Sequence, residues 1–280
     1  LAIKEDYIKI NNIRFRYIHR AGKKSTAPLL FLHGFTGSAN DWLDVINNLP
    51  EYIPAFALDL IGHGKTDAPN PEEEYSTEAQ LQHIDFFIKN VIECPPFILG
   101  YSMGGRLALQ YAVNKPGNIR GLILESTTAG IEDEKERAQR VISDSKLIDR
   151  LQTEGVENFI NFWMALPLFG SLKNIEPKKY EEITAVKKKN SATGLINSLK
   201  GFGTGVMPDV WHKLSALSLP VLILAGEKDL KYVAIGKKLN ESIKDSQMAV
   251  ITGAGHNVHL EKAPDFINFV KHFLNKNDKD

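Results

Sequence analysis

Gly100-Tyr101-Ser102-Met103-Gly104-Gly105 constrains this chain more than any other stretch. It follows Pro96-Phe97-Ile98-Leu99, an apolar run suited to a short buried strand, and precedes Arg106–Ala112, which reads as a helix. Strand, Gly-x-Ser-x-Gly and helix in that order describe a sharp turn carrying a serine hydroxyl at the top of a parallel sheet. Gly100 and Gly104 let strand and helix approach closely, and Ser102 takes the strained apex.

The rest of the chain supplies the sheet that such a turn needs. Residues 7–18 alternate polar and apolar side chains in two runs, which predicts an antiparallel hairpin around Asn11-Asn12. Pro28–Leu32, Phe56–Leu60, Ile119–Glu125, Val221–Ala225 and Met248–Ile251 read as further strands. Between them, Asp41–Leu49, residues 76–93 (capped by Ser76 or Thr77) and residues 264–274 have helical spacing, and the Asn275–Asp280 tail reads as frayed. Strands alternating with helices predict an α/β fold with a mostly parallel central sheet covered on both faces. From Thr127 to Trp211 the pattern turns helical and charged, with no convincing strand. That segment reads as a helical cap over the C-terminal edge of the sheet, where open α/β sheets bind ligands. The expected organisation is a core of 1–127 and 211–280 interrupted by a cap of 128–210.

Composition narrows the partners. Lys plus Arg and Asp plus Glu both number 34, so no net field favours nucleic acid or acidic lipid. No apolar run approaches a membrane span, and the first residues lack a signal-peptide pattern. A single cysteine, Cys94, excludes an intrachain disulfide and a thiolate-rich metal site, and points to the cytoplasm. Neither a metal nor an organic cofactor is expected, and the assembly expected is a monomer or weak homo-oligomer.

A serine hydroxyl becomes nucleophilic or basic only when a base takes its proton and a carboxylate orients that base. Asp229 follows the Val221–Ala225 strand, and His256 follows Met248–Ile251 in Gly253-Ala254-Gly255-His256-Asn257. Both therefore leave strand ends on the same crevice as Ser102, in the order nucleophile, acid, histidine. Glu227 is an alternative acid two residues from Asp229, and Asp229 also suits a cap for the helix that follows. Two backbone amides suit a developing oxyanion: Met103, next to the serine, and Phe35, in His33-Gly34-Phe35-Thr36-Gly37-Ser38. His33 is expected to shape that loop, His63 to belong to a turn, and His259 to brace the His256 loop. Arg106 sits in the first turn of the serine helix, where a cation opposes the helix dipole and a ligand carboxylate would offset it.

These motifs, with Asp59-Leu60-Ile61-Gly62-His63-Gly64, resemble the α/β-hydrolase superfamily. More selective stretches resemble the 2-succinyl-6-hydroxy-2,4-cyclohexadiene-1-carboxylate synthases of menaquinone biosynthesis. They are Gly100–Arg106, Glu125–Ile131, Arg137–Arg140 with Ser143-Asp144, Phe162-Trp163 before Pro167-Leu168-Phe169, and Gly203-Thr204-Gly205 before Pro208. The resemblance implies that Tyr101, Arg106, Arg140 and Trp163 join a pocket for a small, multiply anionic substrate. It matches a further cap arginine to Lys187, which neutralises a carboxylate without arginine's planar fork. Arg137 is left between ligand contact and surface pairing. The implied reaction eliminates pyruvate from 2-succinyl-5-enolpyruvyl-6-hydroxy-3-cyclohexene-1-carboxylate. On the residues alone two other readings stay open: a serine hydrolase of esters, thioesters or carbon–carbon bonds, and a noncatalytic ligand receptor.

Overall fold

The computed structural model describes residues 1–23 and 25–278. β1 (Lys4–Ile10) and β2 (Ile13–Arg20) form the expected antiparallel hairpin. Asn11 and Asn12 turn it with φ of 48° and 69°, a left-handed backbone that asparagine tolerates. β3 (Leu29–Leu32), β4 (Ala55–Leu58), β5 (Phe97–Tyr101), β6 (Gly121–Glu125), β7 (Val221–Gly226) and β8 (Ser246–Ile251) complete an eight-stranded sheet. Its order is β1-β2-β4-β3-β5-β6-β7-β8. β2 pairs antiparallel with β4, and every pairing from β4 across to β8 is parallel.

Because successive strand residues point to opposite faces, the near-continuous apolar runs feed two cores. Leu30, Leu32, Ile98, Leu122, Leu124 and Ile223 pack with α2 (Thr77–Phe87), α3 (Met103–Asn114) and α7 (Leu230–Ser242). Leu29, Phe31, Phe97, Leu99, Ile123 and Leu224 pack on the other face with α1 (Leu43–Asn48) and, beyond the short α8 (Val258–Glu261), α9 (Ala263–Asn277). Each such side chain contributes about 1.5–3 kcal/mol by leaving water.

Three local expectations need correction. The segment starting at Asp41 is not one helix: a tight 3₁₀ turn, Ala39–Trp42, precedes α1. The run 76–93 ends its α-helix at Phe87 and widens to an i→i+5 turn, closed by Glu93 N–H on Ile88 O at 2.7 Å. Asn275–Asn277 are not frayed, since α9 runs through them. Asp278 holds that end, accepting the Ala27 N–H at 3.1 Å. Lys279 and Asp280 lie outside the described residues.

Between β6 and β7 the described chain is helical: α4 (Glu134–Ala165), a 3₁₀ stretch Pro167–Asn174, α5 (Pro177–Lys187) and α6 (Ala192–Phe202). α4 breaks at Gly155, whose φ is 74°. This insertion has its own small core of Leu151, Phe159, Ile160, Met164, Leu172, Leu195 and Leu199, joined by Leu260 of α8. Among the described residues no helix is long and apolar enough to cross a membrane.

α6 meets the sheet domain backbone to backbone. A Cβ on Gly194 would stand 2.0 Å from the Gly62 carbonyl oxygen, and neither main chain has a flexible tip to yield. Gly194→Ala should therefore cost about 1–3 kcal/mol of stability in urea unfolding; an unchanged midpoint would show that this contact tolerates separation.

Candidate active site

Ser102 joins β5 to α3 with φ 50° and ψ −106°, a conformation that L side chains rarely adopt. Packing explains how it persists. A Cβ on Gly100 would lie 2.4 Å from the Gly104 oxygen, and one on Gly104 would lie 2.2 Å from the Leu32 oxygen. The serine's own backbone is held on both sides. Its N–H donates to Glu125 O at 2.8 Å, and its carbonyl accepts from Thr127 Oγ1 at 2.7 Å.

His256 Nε2 lies 3.2 Å from Ser102 Oγ, and His256 Nδ1 lies 2.6 Å from Asp229 Oδ2. Asp229 does both jobs that its position allowed, because its other oxygen caps α7 by accepting the Tyr232 N–H at 3.4 Å. Glu227 points elsewhere and accepts the Gly253 N–H at 2.8 Å. The imidazole is buried and ringed by aromatics, with Tyr232, Tyr101 and Phe169 centroids at 4.7, 5.3 and 5.9 Å.

The two sequence-predicted amides, Phe35 and Met103, have no acceptor among the described residues. The aim of Phe35 N–H follows from peptide planarity: the Gly34 carbonyl in the same peptide points the opposite way. That carbonyl is fixed by the Gly37 N–H at 2.9 Å and by His33 Nδ1 at 2.8 Å. His33 Nε2 accepts the Leu60 N–H at 3.0 Å, so its partners require the neutral ring with the proton on Nδ1. Burial agrees, pushing the His33 pKa down to about 3. His63, packed on His33, is held down to about 3, chiefly by burial. His259 does brace the His256 loop: its Nδ1 and backbone N–H lie 2.8–3.1 Å from the buried Glu125 carboxylate.

A cavity of about 100 Å³ opens on Ser102, lined by Phe35, Tyr101, Met103, Arg106, Arg140, Trp163, Leu168 and Phe169. Ser198, Leu199, Phe202, Gly203, Thr204, Tyr232 and His256 close it. Arg106 is buried, donates to Phe202 O at 2.8 Å and lies over the Phe202 ring. Burial, with the nearby Arg140 charge, lowers its pKa to about 10, so it stays cationic at neutral pH. Arg140 Nε donates to Asp144 at 2.8 Å. Trp163 stacks on Phe159 and meets Phe35 edge-on, and its buried indole N–H has no acceptor among the described residues. A larger cleft of about 850 Å³ shares Arg140, Thr204 and Tyr232 with this cavity.

Two expectations change here. Lys187 does not line the cavity; it is buried behind the Phe35 loop, 3.7 Å from Asp41. Arg137 is spent on the carbonyls of Gly205, Val206 and Met207. The sequence reading missed Tyr232, although its place in the first turn of the helix capped by Asp229 puts its ring beside His256. Ser198 and Phe202 carried no local signal, because the seating of α6 brings them in, and Thr204 lay in the Gly203-Thr204-Gly205 stretch without a role of its own.

The profile of the alpha/beta hydrolase fold family matches residues 27–263. The chain belongs to the α/β-hydrolase family. Within this family it stands among the 2-succinyl-6-hydroxy-2,4-cyclohexadiene-1-carboxylate synthases. That synthase from Enterobacter sp. (strain 638) is 34% identical over 243 residues, 86% of this chain and 89% of the relative. A Bacillus subtilis (strain 168) protein, provisionally given the same name, is 35% identical over 253 residues, 90% of this chain and 92% of its own. MenH from S. aureus superposes with a TM-score of 0.89 at 31% identity, covering 95% of this chain and 99% of that one. The enol-lactonase from Burkholderia xenovorans LB400, 20% identical with a TM-score of 0.82 over 96% of this chain and all of its own, shares the fold.

The buried histidines set a pH dependence. His33 and His63 fall to about 3 and His83 to about 4, against an ordinary 6.5. As pH drops below about 6.5 the unfolded chain takes up these protons while the folded chain does not. Stability is thus complete above that pH and should decline toward pH 4, by at most about 1.4 kcal/mol per pH unit for each histidine. Urea midpoints measured from pH 7.5 to 4.5 test this; a flat profile would contradict neutral burial.

Proposed function

We propose that this chain is a 2-succinyl-6-hydroxy-2,4-cyclohexadiene-1-carboxylate synthase, with Ser102, His256 and Asp229 as its proton-transfer machinery. The observation that carries this reading is a hydrogen-bonded Ser102–His256–Asp229 chain facing a cavity walled by Arg106, Arg140 and an unsatisfied Trp163 indole N–H. The family relatives supply the substrate class.

Substrate and product differ by loss of one ring proton and the enolpyruvyl group, with a 3-ene becoming a 2,4-diene. The proton leaves C2, beside the succinyl carbonyl. Its electron pair forms C2=C3, the old double bond moves to C4=C5, and the C5–O bond breaks. Enolpyruvate leaves and takes up a proton to become pyruvate; no water is consumed. Ser102 Oγ removes the C2 proton after His256 draws off its own, and Asp229 holds the imidazole and stabilises its cationic form. Charge then gathers on the succinyl ketone oxygen, facing the amides of Phe35 and Met103, where one such donor is worth about 3–4 kcal/mol.

The substrate carries three carboxylates. Arg106 and Arg140 meet two of them, Tyr101 helps position the ring, and Trp163 packs on the ring and donates its free N–H. Ligand pockets commonly span about 300–1,000 Å³. The Ser102 cavity is smaller, so binding displaces the wall shared with the larger cleft. Residues 128–210 act as the cap that moves. No metal or organic cofactor takes part in this scheme, and a cytoplasmic setting fits a chain with one cysteine.

Purified protein given the enolpyruvyl substrate should release one pyruvate per product formed. Ser102→Ala and His256→Ala should each lower kcat by about 10²–10⁴-fold. Full turnover in either variant would remove the serine-centred mechanism, and no pyruvate from wild type would remove the assignment. Arg140→Met should raise KM by about 10-fold or more, the loss of one charged hydrogen bond, with a smaller change in kcat; an unchanged KM would take Arg140 out of the substrate site.

A further inference from the structure

One side chain of the insertion is bonded to the loop that aims Phe35. Asn190, in the turn between α5 and α6, is buried, with every polar side-chain atom committed to backbone. Its Nδ2 donates to Thr36 O at 2.8 Å and to Lys187 O at 2.9 Å, and its Oδ1 accepts the Gly64 N–H at 3.0 Å. The Thr36 contact is the informative one. Thr36 follows Phe35 directly and holds φ at 66°, a region costly for a β-branched residue, so the fold must impose it from outside. Lys187, one turn earlier, lies 3.7 Å from Asp41 Oδ2, and both side chains are 7% exposed. Asp41 in turn accepts the Ser38 N–H at 3.3 Å. The insertion thus grips the loop at both ends, 36 and 41.

We infer that Asn190 is a positioning residue that couples the seating of the helical insertion to the aim of the Phe35 amide. With the insertion seated, Asn190 fixes the Thr36–Gly37 peptide, whose N–H, together with His33, holds the Gly34 carbonyl and so the peptide that carries the Phe35 N–H. With the insertion lifted, the Thr36 carbonyl loses its donor and the strained turn relaxes. The oxyanion site is therefore complete when the insertion is seated as it is here. This inference rests on the reading of Phe35 N–H as an oxyanion donor.

Asn197 provides the control. It also lies on the insertion and is also buried, but its Nδ2 donates to Pro69 O and Asn70 O at 3.3 and 3.0 Å, on a different loop. Asn190→Ala and Asn197→Ala should lose comparable stability in urea. On the enolpyruvyl substrate, Asn190→Ala should lower kcat by about 10–100-fold, less than outright loss of an oxyanion donor, with KM changed by less than about 3-fold. Asn197→Ala should keep kcat within about 2-fold. If Asn190→Ala does not fold, Asn190→Asp keeps the acceptor for Gly64 and removes the donor to Thr36, and the same loss of kcat is expected. Equal kcat losses in the two positions, or an unchanged kcat at 190, would overturn the inference. The same variants are assayed on a short p-nitrophenyl ester, whose acyl transfer at Ser102 uses the same amides. A selective loss at 190 on the ester, with no pyruvate from wild type, would sink the assigned reaction and leave the brace standing.

Discussion

Everything at this site depends on one strained residue being held where it cannot relax. Ser102 sits at positive φ because β5 and α3 are pressed together through Gly100 and Gly104, and because Glu125 and Thr127 hold its peptide groups. The strain lifts the hydroxyl clear of its own strand and leaves the Met103 amide free at the start of a helix. In the proposed mechanism, one backbone contortion therefore supplies both the reacting oxygen and half of the anion site. The cost, of order 1–3 kcal/mol, is small beside the burial of two apolar faces of the sheet.

Around that point the charged groups divide into two kinds. Asp229 and Glu125 are buried acceptors with histidine partners, and they hold loops in register. Arg106 and Arg140 reach the cavity with only part of their donor capacity used, on Phe202 O and Asp144. A guanidinium has five N–H donors, so both keep capacity for a carboxylate. Neutral buried His33 and His63 keep further positive charge away from the loop that aims Phe35. The arrangement suits an anionic ligand whose charge grows on one oxygen during reaction.

The parts of this design that were legible in the sequence are those written locally. The inner strands β3–β7 are short, mainly apolar runs, β1 and β2 an alternating hairpin, and the elbow is a six-residue pattern whose glycines have a steric reason. Ser102, Asp229 and His256 follow from strand ends in a fixed order. What sequence reading could not reach depends on how the insertion settles. The family resemblance matches Lys187 to a ligand-binding arginine, and its burial beside Asp41 is not visible in the sequence. Asn190 drew no notice, since an asparagine in a turn has a local explanation. Tyr232 was hidden behind the capping role of Asp229, and the widening after Phe87 has no signature in side-chain periodicity.

The central claim is that proton removal from carbon, driven by Ser102 and His256, starts the reaction. The most direct measurement is the deuterium isotope effect on kcat/KM, using substrate labelled at ring carbon 2. The account predicts a normal primary effect, with pyruvate and diene appearing together and no covalent enzyme species detected by mass spectrometry. An effect of unity, accompanied by an acyl-enzyme on Ser102, would contradict it.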